Sequence, residues 1–208
     1  MSKRPLPTIG VDKYTFFELI SDTAEGVAYG AAVALPGTVQ ISATDNGAAD
    51  TFDADNGIYE VETYIEKMGH EIENADITPE VDAMWRGLER MNGAVVVGKT
   101  MGTRYFGVAW RILKTDGTYR YVKYFKGSYS FASNVGGKTR PSDGAANKQT
   151  AKATYTAVQR EYDDGIYMYI DQCDVELDGE YADLAEFEAA WFGDMATLTG
   201  DEKIVTNA

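Results

Sequence analysis

An antiparallel β-sandwich or partial barrel, mainly β within the α+β class, is the fold that three observations on this sequence predict. Short segments of alternating apolar and polar residues recur between turn dipeptides such as Asp116-Gly117 and Asp164-Gly165. The segment 78–92 carries a helix cap followed by an apolar stripe at helical spacing. A second, aromatic-rich helical stripe lies near the C-terminus. Together they imply strands with one packed α-helix, a long polar loop arm and a C-terminal helix.

Taken in order, "VAYGAAVALPGTVQIS" (27–42) reads as a short strand, a turn at Pro36-Gly37 and a second short strand. "ATDNGAADTFDADNG" (43–57) holds little that is apolar except Phe52 and reads as a mobile loop or hairpin arm. Its aspartates do not make an EF-hand: counted from Asp53, the sixth position is Ile58 instead of glycine and the twelfth is Tyr64 instead of glutamate. "IYEVETYIE" (58–66) alternates, with Tyr59, Val61 and Ile65 on one face and Glu60, Glu62 and Glu66 on the other, and "HEIENADI" offers Glu71 and Glu73 in a second strand after Gly69. Paired carboxylates can serve glycoside chemistry, but five along solvated strands read first as a wet face.

The helix 78–92 has Thr78 as N-cap, Pro79 in its first turn, and Val81, Met84, Trp85, Leu88 and Met91 along one face, with Asn92-Gly93 as its stop. Residues 104–131 read as a β-hairpin turning at Asp116-Gly117. Phe106, Val108, Trp110 and Ile112 form its apolar face, and Tyr119, Tyr121 and Phe125 share one side of the return strand. Arg120, Tyr124 and Lys126 share the other, with Arg111 opposite the apolar face of the first strand. A Gly/Ser/Asn-rich loop (132–150) precedes strands at 151–158 and 165–171. Tyr181, Leu184, Phe187 and Trp191 then fall on one helical stripe, with Asp183 and Glu186 at capping-box spacing. The domain boundary falls near 172: a β domain at 1–172, and an acidic C-terminal helix and tail at 173–208.

The 208 residues carry a formal charge of −14, distributed in blocks. Residues 42–90 hold thirteen acids against three bases, residues 104–126 six bases against one acid, and residues 161–208 fourteen acids against one base. Segregated charge suits self-assembly through faces of opposite sign, and the acid surplus argues against general nucleic-acid binding. The single Cys173 precludes an internal disulfide framework, and His70 is the only histidine. No catalytic or cofactor-binding motif is present, so the expectation is not an enzyme and no cofactor. "MSKRPLPTIG" lacks the apolar core of a signal peptide, which gives the expectation of cytoplasmic synthesis with no membrane partner.

"IGVDKYTFFELISDTAEGVAYGAAVALPGTVQIS" is similar to the opening of the major tail proteins of long-tailed, non-contractile bacteriophages and prophages. The likeness continues through "ADNGIYEVET", "GHEIENADITPEV", "GTYRYVKYFKGSY" and "REYDDGIYMYID" to the aromatic "FEAAWF". Residues 170–208 depart from the pattern in being more acidic. The resemblance implies a virion structural protein, assembled in the host bacterial cytoplasm, whose hexameric rings stack into a tail tube. Its partners would be other copies of itself, a tape-measure protein, a tail terminator and baseplate or tail-tip proteins, with DNA passing through the lumen unbound.

On that reading Glu60, Glu62, Glu66, Glu71 and Glu73 line the channel and keep phosphates off its wall. The loop bearing Asp45, Asp50, Phe52, Asp53 and Asp55 reaches the next ring, and Arg111, Arg120 and Lys126 meet acidic neighbours between subunits. Two other readings stay open: a nucleic-acid-binding module using the 104–126 hairpin, and a carbohydrate-binding or baseplate β-scaffold with exposed tyrosines as stacking platforms.

Overall fold

The computed structural model describes residues 5–54, 56–98, 102–130, 136–139, 148–175 and 181–195. The fold is mainly antiparallel β with two α-helices. Its strands are β1 (Thr8–Thr23), β2 (Gly26–Tyr29), β3 (Val33–Ala34), β4 (Thr38–Ala43), β5 (Asn46–Ala54), β6 (Gly57–Asn74), β7 (Glu89–Met91), β8 (Ala94–Val96), β9 (Phe106–Lys114), β10 (Tyr119–Ser130), β11 (Ala151–Ala157) and β12 (Tyr167–Asp171). The helices are α1 (Pro79–Arg86) and α2 (Leu184–Gly193).

Ten strands form one sheet in the order β2-β1-β9-β10-β11-β6-β4, with β3 on β1, β12 on β10 and β5 on β6. Between β3 and β4, the Leu35 amide donates to the Tyr14 carbonyl of β1 at 2.8 Å. This bond continues the β1–β3 pairing, and the Tyr14 hydroxyl meets His70 of β6 at 2.8 Å across the interior of a sheet curled into a partial barrel. Inside the curl lie Tyr14 and Phe16 from β1, Val108 and Trp110 from β9, Tyr124 from β10, Ile72 from β6 and Tyr155 from β11.

Helix α1 plugs this core. Thr78 Oγ1 accepts from the Val81 amide at its start, and Trp85 stacks on Tyr129 with ring centroids 3.8 Å apart. The helix stops earlier than its stripe suggested. Gly87 takes a left-handed φ of 61° and returns its N–H to the carbonyls of Ala83 and Met84, a closure that glycine adopts without strain. Met91 therefore belongs to β7, and Asn92-Gly93, with φ of 50° and 86°, is the two-residue turn between β7 and β8 instead of a helix stop.

Both faces of the β9–β10 hairpin are covered, so the expected cationic face does not exist as an open surface. One face lines the core inside the curl. Against the other, Ala109, Tyr121 and Phe125 join Phe17 of β1 beneath Phe187, Trp191 and Met195 of the C-terminal segment. Helix α2 begins as its capping box predicted, with Asp183 accepting from the Glu186 amide at 2.9 Å. The C-terminal segment thus completes a second core on the outer face of the sheet.

Strands β11 and β12 lie end to end along one side of β10, opposite its residues 127–130 and 120–124 respectively. Asp164-Gly165 therefore belongs to a detour between collinear segments, not to a hairpin joining neighbours. Most of the polar stretch 132–150 and the tail beyond Met195 lie outside the described residues.

Candidate functional site

The expected loop 43–57 is largely a strand. Residues 46–54 (β5) pair with the first half of β6 in a two-stranded ribbon off the main strand order of the sheet. Strand β6 runs continuously from Gly57 to Asn74, so the two acidic strands read on either side of Gly69 are one. Gly69 is needed for close approach: a Cβ there would stand 2.0 Å from the Tyr155 carbonyl oxygen of β11.

Glu66 has no partner on β5, whose Asn46 and Gly47 pair with Lys67 and Ile65. One extra residue shifts the strand's alternation by one. Even-numbered Glu60 and Glu62 thereby come to the same side of β6 as odd-numbered Glu71 and Glu73. The opposite side carries Val61 and Ile65 in the ribbon and the buried His70, Ile72 and Asn74 in the body. The apolar side of the ribbon is thus the core-facing side of the sheet, continued past the point where the core ends. Val61 and Ile65 are 54% and 57% exposed.

The acids do not behave alike. In the ribbon, Glu60 stands opposite Phe52 and Glu62 opposite Asp50. Asp50 and Glu62 are therefore a like-charge pair directly across two strands, an arrangement that costs stability in an isolated ribbon. In the body, Lys152 bridges Glu71 and Glu73 at 2.8 and 3.4 Å. The Thr150 hydroxyl, aided by Lys152, holds Glu73 below the usual carboxylate range. Asp45 sits at the root of the ribbon, where it accepts from the Gly69 amide at 3.2 Å. Phe52 is exposed and meets the Tyr59 ring edge-on. The side chains of Asp53 and Glu66, and all of Asp55, lie outside the described residues.

Each of the three predicted interface bases has an acid within its own chain. Arg111 grips Asp12 with two bonds of 2.6 and 3.0 Å, also pairs with Glu188 of α2, and lies over the Tyr119 ring. Arg120 holds Asp171 at 2.7 and 3.2 Å, and together with Lys114 it pulls that carboxyl down to about 2. Lys126 meets Asp22 at 2.6 Å. Burial alone would raise Asp22, but Lys126 and the amides of Glu161 and Tyr162 outweigh it and bring the group below its ordinary value. Sequence reasoning placed these acidic neighbours on other subunits; the structure supplies them from β1, β12 and α2. Within one chain the guanidinium groups of the hairpin and Lys126 are thus already paired with acids.

His70 is a core residue. Its Nε2 bonds the Tyr14 hydroxyl at 2.8 Å, its ring stacks on Tyr155, and burial lowers it to about 3, so it is neutral at physiological pH. Among the described residues no group of three or more His, Cys, Asp or Glu could hold a metal ion, and no helix is long and apolar enough to cross a membrane.

Among the described residues the β5–β6 ribbon carries exposed apolar side chains, Phe52, Ile58, Tyr59, Val61 and Ile65, beside the acids Asp50, Glu60 and Glu62. Sequence reasoning found both its acids and the apolar face opposite them, but not that this face is uncovered, because alternation alone does not show where a core ends. The chain matches no family model and no curated protein.

Proposed function

We propose that this chain is the repeating subunit of a self-assembling tube, the tail tube of a long-tailed bacteriophage, whose rings form when neighbouring copies cover the β5–β6 ribbon. The observation that carries this reading is the ribbon itself. Two strands with an exposed apolar side, a like-charge pair across them and no third strand among the described residues are marginal alone in water. Such an element makes sense as half of an interface. A neighbouring copy can cover the apolar side, while Asp50, Glu60 and Glu62 remain on the opposite side, toward solvent.

On this reading the acidic side faces a lumen. The mechanism is passive: carboxylates repel phosphates, so DNA stays hydrated and slides past without adhering. Host cytoplasm is the place of assembly and the virion tail the destination. The resemblance in sequence supplies the six-fold ring and the tape-measure, terminator and tail-tip partners; the geometry supplies the reason for self-association.

Electron microscopy of the concentrated protein tests the proposal. Hollow rings or tubes are expected, and compact particles at every concentration and salt would reject it. A second reading, a carbohydrate-binding scaffold, draws on β12, where Tyr167 and Tyr169 stack at 18° with Tyr169 59% exposed. A glycan-binding screen with Tyr169→Ala as control separates the two.

A further inference from the structure

Among the described residues, polar contacts tie α2 to the sheet near its middle and at its end, and the second is unusual. Near its middle, Glu188 gathers Lys13, Arg111 and the Tyr121 hydroxyl, a solvent-touching cluster of opposite charges. At its end stands Lys123 of β10, fully buried. Its Nζ donates to the Asp194 backbone carbonyl at 2.7 Å and lies 4.5 Å from the centre of the Trp191 ring. Phe17, Ala109, Phe125, Phe187 and Met195 belong to the same apolar cluster. A lysine at the centre of a strand, pointing under a helix, must either keep its charge in a poor medium or lose its proton.

We propose that α2 is a proton-controlled cover: it seats firmly when Lys123 is a neutral amine and loosens when Lys123 is an ammonium. The neutral amine still donates to the Asp194 carbonyl, so the contact that ends α2 survives deprotonation, while the burden of a buried charge is relieved. Unseating the helix exposes Lys123 to water and uncovers the Phe17–Ala109–Tyr121–Phe125 face of the sheet.

Among the described residues, the shifted groups around it leave Lys123 to set the response. Burial lowers Lys123 to about 7, against the partly compensating charge of Asp194. On α2, Glu188 is held below its ordinary value, so it remains charged across the neutral and alkaline range. On β10 and β2, burial raises Tyr121 and Tyr29, and both stay neutral there. Arg111 of β9 and Arg160, which lies over the Phe125 ring, are raised and remain cationic, and Lys13 of β1 faces Glu188. The sign follows from linkage. With α2 unseated, Lys123 takes its ordinary value near 10.5, so between about pH 7 and 10 the open form binds a proton that the closed form does not. Raising the pH therefore favours the seated helix, and below 7 the bias toward opening is complete.

The test is hydrogen exchange of the α2 amides in the full chain, corrected for the intrinsic pH dependence of exchange. The opening equilibrium constant should fall about tenfold per pH unit between 7 and 9. In Lys123→Met, which keeps the length and loses the charge, it should be flat. Identical pH dependence in both proteins, or protection that weakens as pH rises, overturns the proposal. A carbon NMR titration of the wild-type lysines provides a reading without any variant. One lysine Cε titrating near 7 is expected, and all titrating near 10 contradicts it.

Discussion

The body of the sheet and the β5–β6 ribbon are built from the same strand, β6, yet they solve opposite problems. In the body, both faces of β9 and β10 are buried, and Arg111, Arg120 and Lys126 each have an acid in reach. In the ribbon, Val61 and Ile65 lie exposed and Asp50 pairs across the strands with Glu62 instead of with a base. The difference teaches that the charge blocks of the sequence do not have one meaning. Bases of the 104–126 block meet acids of the same chain, whereas in the ribbon an acid faces an acid.

Breaking the body should have the largest effect. At Gly127 a Cβ would stand 2.4 Å from the Tyr155 ring and 2.5 Å from the Thr156 carbonyl oxygen, with no room on either side. Gly127→Val should cost on the order of 3 kcal/mol or prevent folding, read by urea denaturation of the monomer. A next, smaller effect is expected from Lys126→Met. It leaves the Asp22 side chain, 5% exposed, without its cation, and a loss of about 3 kcal/mol would be the upper end for a half-buried pair. The matched ribbon change, Glu62→Gln, should move monomer stability by less than about 0.5 kcal/mol.

Val61→Ser with Ile65→Ser sharpens the contrast further. Both side chains are exposed in the free subunit, so denaturation should shift by no more than about 0.5 kcal/mol. Removing apolar cover from an interface should instead raise the critical concentration for assembly, by roughly tenfold for each 1.4 kcal/mol by which association is weakened. Light scattering against protein concentration measures this. An unchanged critical concentration would mean that the ribbon's apolar side is not the interface.

Where local rules are sufficient, the sequence is easy to read. Asp116-Gly117 turns the hairpin, Thr78 and Asp183 start the helices, and Pro36-Gly37 separates β3 from β4. Strand β1 escapes a reading by alternation, because a strand buried on both faces loses it: Tyr14, Thr15, Phe16 and Phe17 are all buried. Helix α1 reads too long because Leu88 and Met91 continue the helical spacing, while Gly87 closes the helix from outside that pattern. The partners of Arg111, Arg120 and Lys126 are not legible, since Glu188, Asp171 and Asp22 lie 51 to 104 positions away and meet them only through the fold.

Hydrogen exchange across residues 47–65, compared between the free subunit and its concentrated assembly, tests the central claim most directly. If the ribbon is half of an interface, its amides exchange fast in the free subunit and become protected on assembly, while β9 and β10 are protected in both states. Slow exchange of the ribbon in the free subunit, or protection gained elsewhere while the ribbon stays fast, would contradict the account.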